Sequence, residues 1–499
     1  MKYISTRGSG ESLTSAEAII RGLAGDGGLF VPSMISKLPL NFIERFGKIS
    51  YEERAEGILS LFLSDYTTEE LVDCVEKAYG GDKFDDKRRA PLKAVGDFSV
   101  LELWHGPTSA FKDMALQLLP QLLRTALVKT GEDREILILV ATSGDTGKAA
   151  LEGFCDVDQV RIMVFYPDGG VSRIQRLQML TQKGRNVNVT AVRGNFDDAQ
   201  SGVKAIFGDE EFGRKLAKAG VKLSSANSIN WGRLVPQIVY YFSAYADLLE
   251  QGRIEPGDEV DFCVPTGNFG DILAAYYAKL MGLPVHKLIC ASNCNNVLTD
   301  FLRTGIYNRK REFHKTISPS MDILISSNLE RLLYHITEDT AQVKAWMEEL
   351  SDKGSYNVGK EVLEEIQKVF WAGWTDEDAT KSTISRVFKD FNYALDTHTA
   401  VAWDVAEQYV KETGDKHVMV VVSTASPYKF NASVLEAMGE KTEGMDEFAM
   451  LDCLNKKSGQ PIPKGLDSLR NAKVIHQDVC DKDEMEEFVY EFATKRVSG

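Results

Sequence analysis

From about residue 90 onward, apolar runs of strand length alternate with helix-length segments, the pattern expected of α/β units. EILILVATSG followed by GKAALEGF, RIMVFYP by VSRIQRLQMLTQ, VNVTAVRG by FDDAQSGVKAIF, and DEVDFCVPTG by DILAAYYAKLMG each reads as strand, turn and helix. That rhythm predicts a largely parallel sheet. A late run, HVMVVVSTAS, returns to the strand pattern. Before residue 85 the chain instead carries short amphipathic pieces, Ser15 to Leu23 and Thr68 to Tyr79, closed by the charged run GGDKFDDKRR. We therefore expect a small helical N-terminal domain over 1–88, a core over 89–440 made of two sub-domains, and a tail over 441–499. Residues 303–355 are polar and irregular and read as an insertion. The acidic stretch DKDEMEEFVYEFATK reads as a surface helix. There is no internal repeat and no low-complexity segment.

Length changes the picture little: 499 residues at about 150 per domain predict two or three packed units. Charge excludes more. With 58 Lys+Arg against 73 Asp+Glu the net charge is -15, which repels nucleic acid and anionic membranes. An anionic ligand must then be held by a local site. No apolar stretch reaches the ~18 residues of a membrane span. Seven scattered cysteines and no apolar leader after Met1 make a cytoplasmic location with reduced thiols the expectation. Cys290 and Cys294 lack a second pair or a nearby His at zinc-like spacing, so they read as a buried strand end and no metal is expected.

Four segments carry candidate chemistry. In LELWHGPTSAFKDMALQLLPQLL, Lys112 stands at the start of an apolar-periodic helix that tolerates Pro120. The helix dipole there disfavours an ammonium and favours the neutral amine that imine chemistry needs. Asp113 can serve as a cap. A lone lysine is more often simply exposed, and context must overturn that. In ILVATSGDTGKAAL, Thr142, Ser143, Gly144, Asp145, Thr146 and Gly147 occupy a strand-to-helix turn, where hydroxyls and free N–H groups suit a carboxylate or a phosphate. A plain tight turn fits as well. It is no nucleotide P-loop, since Thr142 stands where Gly is required and Ala149 where Ser or Thr is. In DFCVPTGNFGDILAAYYAKL, Gly267 and Gly270 bracket Asn268 and Phe269, an arrangement that suits a phosphate monoester. The dinucleotide fingerprint G-x-G-x-x-G is absent, both here and in AGDGGLF, where Phe30 takes the third glycine's place. In VVVSTASPYKF, a hydroxyl of Ser423, Thr424 or Ser426 could meet a neutral pyridine nitrogen, or could cap the turn that Pro427 begins.

Taken in order, YISTRG, GLAGDGGLFVP, HGPTSAFKD, ATSGDTG, FYPDGGVSRIQRLQM, GNFDDAQ, NSINWGRLVPQ, PTGNFGD and STASPYKF resemble the threonine synthase family of pyridoxal-phosphate enzymes, over nearly the whole chain. The resemblance implies the tryptophan synthase β-like fold, with parallel or mixed sheets flanked by helices. It implies that Lys112 is the Schiff-base lysine, that Gly267, Asn268, Phe269, Gly270 and Asp271 hold the cofactor phosphate, and that Thr424 faces the pyridine nitrogen. The chain departs from the family's T-A-H-P at Ser426 and from its D-P-H-T-A at Thr397, before His398. Hydrogen bonding around the ring is where Ser426 would tell.

By that resemblance the reaction is O-phospho-L-homoserine plus water to L-threonine plus phosphate. The 142–147 turn, with Thr142, Ser143 and Thr146, would take the substrate carboxylate, and Asp145 would lie near the ring hydroxyl. Asn227, Ser228 and Arg233 would take the substrate phosphate, Arg233 as a forked donor, although it equally suits a structural ion pair. His105, before Gly-Pro, suits loop support as well as proton transfer. The rival readings are a phospholyase that releases 2-oxobutyrate, a serine or threonine dehydratase, and a non-catalytic ligand-binding protein on the same fold. Nothing in the sequence sets the oligomeric state.

Overall fold

In chain order the strands are β1 (Tyr3–Ser5), β2 (Phe30–Pro32), β3 (Leu92–Val95), β4 (Phe98–Glu102), β5 (Glu135–Ala141), β6 (Val160–Pro167), β7 (Val187–Val192), β8 (Val221–Ser224), β9 (Val260–Pro265), β10 (Val285–Ser292), β11 (Ile306–Asn308), β12 (Ser355–Asn357), β13 (Phe370–Trp374), β14 (Val418–Ser423) and β15 (Asp478–Cys480). The structure is a computed structural model that describes residues 1–169 and 171–495. Two main sheets organise it. One has the order β13-β10-β9-β14-β4-β3, parallel except for the β3–β4 hairpin. The other, β15-β7-β6-β5-β8, is parallel throughout. Every residue of β6 and β9 is buried, which is why these strands read as unbroken apolar runs and not as alternation.

The expected strand–turn–helix units are present, and each parallel strand delivers the chain at its carboxyl end to a loop and a helix. In such sheets the carboxyl ends are where ligands bind. The turns after β9 and β14 and the lysine loop after β4 therefore share one end of the six-stranded sheet, and the turn after β5, from the other sheet, meets them through contacts of Asp145 with Lys112 and Lys429.

Four local readings change. The N-terminal unit holds, besides the helices Ser15–Arg21 and Thr68–Tyr79, the antiparallel pair β1–β2. Its core is continuous with the rest: Tyr3 and Phe62 lie 5.3 and 5.5 Å from Trp231, ring centre to ring centre. The 303–355 segment is not irregular, for it contains the helices Leu329–Thr337 and Thr340–Lys353 and the β11–β12 pair. Its many charges hide the stripe of Leu329, Leu332 and Leu333 that the first of these helices buries. The helix after Lys112 is two, Lys112–Leu116 and Leu119–Thr130. Pro120 has no N–H to continue the first, and it sits in the opening turn of the second. The helix Met485–Thr494 is more than a surface helix: it buries Met485, Val489 and Ala493 against the five-stranded sheet, which β15 extends at its edge. Gly170 of FYPDGGVSRIQRLQM and residues 496–499 of the tail lie outside the described residues. No described helix is long and apolar enough to cross a membrane.

Candidate active site

Lys112 reaches its place through a loop stitched to the end of β14. Leu103 N–H donates to the Ser423 carbonyl at 2.9 Å, Phe111 N–H to the Thr424 carbonyl at 2.8 Å, and Ser426 N–H to the Ser109 carbonyl at 3.1 Å. Asp113 does not cap the helix that Lys112 opens, whose N-cap is Phe111. Its buried carboxylate reaches back to accept from Thr108 N–H at 2.8 Å and the Thr108 hydroxyl at 2.6 Å. This fold-back leaves no room at Gly106, where a Cβ would lie 2.5 Å from the Asp113 Cβ. Gly106→Ala should therefore cost about 1–3 kcal/mol, read as a lowered urea midpoint with an unchanged m-value.

The centre of the site is a carboxylate between two ammonium groups. Asp145 Oδ1 lies 2.6 Å from Lys429 Nζ and accepts from Gln175 Nε2 at 2.7 Å, while Oδ2 lies 3.8 Å from Lys112 Nζ. Burial works to raise the Asp145 carboxyl, but Lys429 and Lys112 outweigh it and hold the group well below the usual carboxylate range. For Lys112 burial wins: it pulls the amine down to about 8, the positive charges of Lys429 and Arg233 act in the same direction, and Asp145 only partly opposes them. An amine so placed is still mostly ammonium at pH 7, but roughly a tenth of it is neutral, far more than for an ordinary lysine. Lys429 is wholly buried and also donates to the Thr108 carbonyl at 3.0 Å, so it braces the lysine loop and Asp145 together.

The 142–147 turn uses much of its own chemistry internally. The Thr142 hydroxyl accepts from Gly144 N–H at 3.0 Å and Gly147 N–H at 2.9 Å. Ser143 is exposed and Thr146 half-buried. Gly144 has φ +155, and a Cβ there would fall 2.7 Å from the Gln175 amide that holds Asp145.

After β9, Gly267 is half-buried, Asn268 exposed and Phe269 buried at φ 62, turning the chain into the helix Gly270–Leu280. The first N–H groups of that helix have no acceptor within it. A Cβ at Gly267 would meet the Ser320 carbonyl at 2.7 Å. The Asp271 side chain is directed elsewhere: Oδ1 accepts the hydroxyls of Tyr240 and Tyr241, each at 2.6 Å, and Oδ2 is buried without a partner. Burial raises its carboxyl to about 6 against the pull of those hydroxyls. Asp271 can thus offer an anion its backbone N–H but not its carboxylate.

Arg233, in the first turn of the helix Trp231–Glu250, is buried and pairs with no carboxylate among the described residues. One Nη donates to the Ala226 carbonyl at 2.8 Å, and Nε is buried without a partner. Burial lowers its guanidinium to about 10. The structural ion-pair reading of Arg233 is thereby set aside: this cation has its counter-charge still to find. Asn227 is exposed beside it. Ser228 presents its carbonyl to Asn328 Nδ2 at 3.3 Å, and the same amide donates to the Asn268 carbonyl at 3.1 Å, so Asn328 ties the Arg233 turn to the glycine loop.

Several contributors escaped the sequence reading. Ser320, Asn328 and Arg331 come from the 303–355 segment, and Arg331 donates to Asn328 Oδ1 at 2.5 Å and to the Ile229 carbonyl at 2.6 Å. His398 donates from Nδ1 to Asp396 at 3.1 Å and accepts the Ser320 N–H at Nε2, 3.1 Å away. Lys429 lies in STASPYKF, and only its neighbours were singled out. Ser426 caps the turn at Pro427, accepting from Tyr428 N–H at 3.4 Å, and Ser423 accepts from Trp104 Nε1 at 3.0 Å. Thr424 is buried at the mouth of the same loop. His105 is stacked on Trp104 and bonded to Glu102 at 2.8 Å, which places it as a support of the loop.

Residues 2–79 match the family model for the threonine synthase N terminus, and residues 399–472 that for the threonine synthase C-terminal region. Human threonine synthase-like 1 is 42% identical over 436 residues, 85% of this chain; the chain spans only 58% of that relative's length. Threonine synthase of Schizosaccharomyces pombe is 38% identical over 474 residues, covering 89% of this chain and 90% of its own. Among solved structures, PLP-bound threonine synthase from Brucella melitensis superposes with a TM-score of 0.88 at 38% identity, over 99% of this chain and all of that one. The yeast threonine synthase does so at 0.89 and 34%, over 99% of both chains.

Proposed function

From the premise that this chain belongs to the threonine synthase family, we propose that it converts O-phospho-L-homoserine and water to L-threonine and phosphate with pyridoxal phosphate as cofactor. The observation that carries the reading is the buried amine of Lys112 set beside the Asp145–Lys429 pair, with the buried guanidinium of Arg233, which pairs with no carboxylate among the described residues, near enough to lower that amine. Such a site demands anions. Substrate and cofactor bring two phosphates and a carboxylate.

The residues fit the cofactor. Lys112 supplies a largely buried amine held near 8, able to attach an aldehyde. The N–H groups of Gly267, Asn268, Phe269 and Gly270, at a helix start with no side chain at the closest approach, would hold its phosphate. Thr424 would face the ring nitrogen with a neutral hydroxyl. Bound there, the cofactor supplies an electron sink that makes protons on the substrate's α and β carbons removable.

The chain's own groups do the rest. Lys112 Nζ takes the proton from Cα and returns it at the end. A second proton leaves Cβ, phosphate departs from Cγ, Cγ gains a proton, and hydroxide from water adds at Cβ. Arg233 would bind the departing phosphate, with Asn227 and Ser228 at its turn. Ser143, Thr146 and the amides of their helix start would take the carboxylate. Asp145, fixed by Lys429 and Gln175, orients the amine and keeps its charge balanced. A cytoplasmic location accords with the seven cysteines, all free thiols.

The test is to supply O-phospho-L-homoserine and pyridoxal phosphate to the purified protein and measure phosphate and carbon product together. Threonine equal to phosphate is expected. Equal 2-oxobutyrate would make it a phospholyase, and no phosphate would remove the substrate assignment.

A further inference from the structure

Away from this site, Asp261, His286, Asp415 and His417 bring two imidazoles and two carboxylates together, with one ligand atom from each lying within 4.8 Å of all the others. Their gathering is a consequence of parallel topology. Asp261 is the second residue of β9, His286 the second of β10, and Asp415 and His417 lie in the turn entering β14. The three strands are neighbours, with Val260 in register with both Val285 and Val418. The cluster therefore sits at the amino ends of the strands, opposite the lysine site at their carboxyl ends.

The geometry is that of a ligand set. His286 Nδ1 lies 3.0 Å from Asp261 Oδ1 and 3.1 Å from Asp415 Oδ2, and His417 Nδ1 lies 2.7 Å from Asp415 Oδ1. The two rings stack 4.1 Å apart at 24°. One Nδ1–H cannot fully satisfy two carboxylates, and Asp261, which is fully buried, has a second oxygen with no partner at all. Outer groups already fix the carboxylates: Lys287 N–H donates to Asp261 at 2.8 Å, and the Tyr409 hydroxyl to Asp415 at 2.7 Å. Metal-ligand carboxylates are commonly oriented in this way.

We propose that Asp261, His286, Asp415 and His417 form a binding site for a divalent transition-metal ion, with Zn²⁺ the best match to two imidazole nitrogens and two carboxylate oxygens. Tetrahedral ligands about 2.0–2.1 Å from zinc stand roughly 3.3 Å apart. The two 3.0–3.1 Å contacts of His286 need open by only a few tenths of an ångström to admit the ion. Zinc would replace the shared Nδ1 proton, so binding releases protons. The His417 side chain, 37% exposed, gives the ion a route in. The expectation of no metal rested on the cysteines alone, and this cluster uses none.

The holoenzyme, stripped with chelator and dialysed, is titrated with zinc chloride by calorimetry in buffers of differing ionisation enthalpy. One zinc per chain, proton release, and a Tm that rises until one equivalent is bound are expected. His286→Ala and His417→Gln should each weaken binding at least about tenfold. His417→Gln alters an exposed ring and serves if the first variant does not fold. Absence of zinc binding by the parent protein, or affinity unchanged in the variants, overturns the site.

Discussion

Lys112→Ala should lower turnover of O-phospho-L-homoserine by about 10³-fold or more, because one amine serves both to attach the cofactor and to move the Cα proton. The same variant should lose the visible absorbance that attachment gives the holoenzyme. Its stability should hold. Lys112 is a cation that burial disfavours, and Asp145 keeps Lys429 at 2.6 Å and Gln175 at 2.7 Å when Lys112 is gone. Urea melts, absorbance and phosphate release on one preparation separate these effects. Wild-type turnover in the variant would sink the role of Lys112; a collapsed melt would show a structural role instead.

Lys429→Met should act on both stability and pH dependence. Removing one partner of a buried pair strands the other, here Asp145, although Lys112, Gln175 and Ser320 remain beside it. We expect a loss of about 3 kcal/mol, the low end for a broken buried pair. The pH effect has a definite sign. Lys429 lowers the Lys112 amine directly and also draws on the charge of Asp145. Without it, Asp145 favours the ammonium form of Lys112 more strongly and the amine's pKa rises. Only the neutral amine attaches an aldehyde. The rate at which apoprotein takes up pyridoxal phosphate should therefore climb through about pH 8 in the parent, and about one unit or more higher in the variant. An unmoved midpoint would show that Lys429 does not tune Lys112.

The loops proposed to hold the cofactor stood out in the sequence because their signals are local. Lys112, the ATSGDTG turn, the glycine loop and STASPYKF each join a strand end to a helix start, where pattern, glycines and hydroxyls fall within a dozen residues. Side-chain direction was not legible. Asp271 sits within the glycine loop by sequence, yet its carboxylate belongs to Tyr240 and Tyr241 on another helix. Asp113 looks like a cap and is instead a brace for Thr108. Thr142 looks like a ligand hydroxyl and spends its oxygen on its own turn.

The 303–355 segment shows the same limit from the other side. Its charges and short apolar intervals gave no clear period, so nothing marked Ser320, Asn328 or Arg331. Their value comes from meeting Gly267, Asn268 and Ser228, residues about 50 to 100 positions earlier. Lys429 likewise depends on Asp145, nearly 300 residues before it.

By itself, then, the sequence determined the alternation of parallel strands and helices, the loops at the strands' carboxyl ends and the lysine among them, since each depends on neighbouring residues and on apolar periodicity. Only the tertiary structure decided which charges face one another. It set Lys429 on Asp145, left Arg233 with no carboxylate among the described residues, and brought Asp261, His286, Asp415 and His417 together at the amino ends of three neighbouring strands. The reason is physical: burial and the distance between charges set their energies, and both are properties of strand order and helix packing, not of separation along the chain.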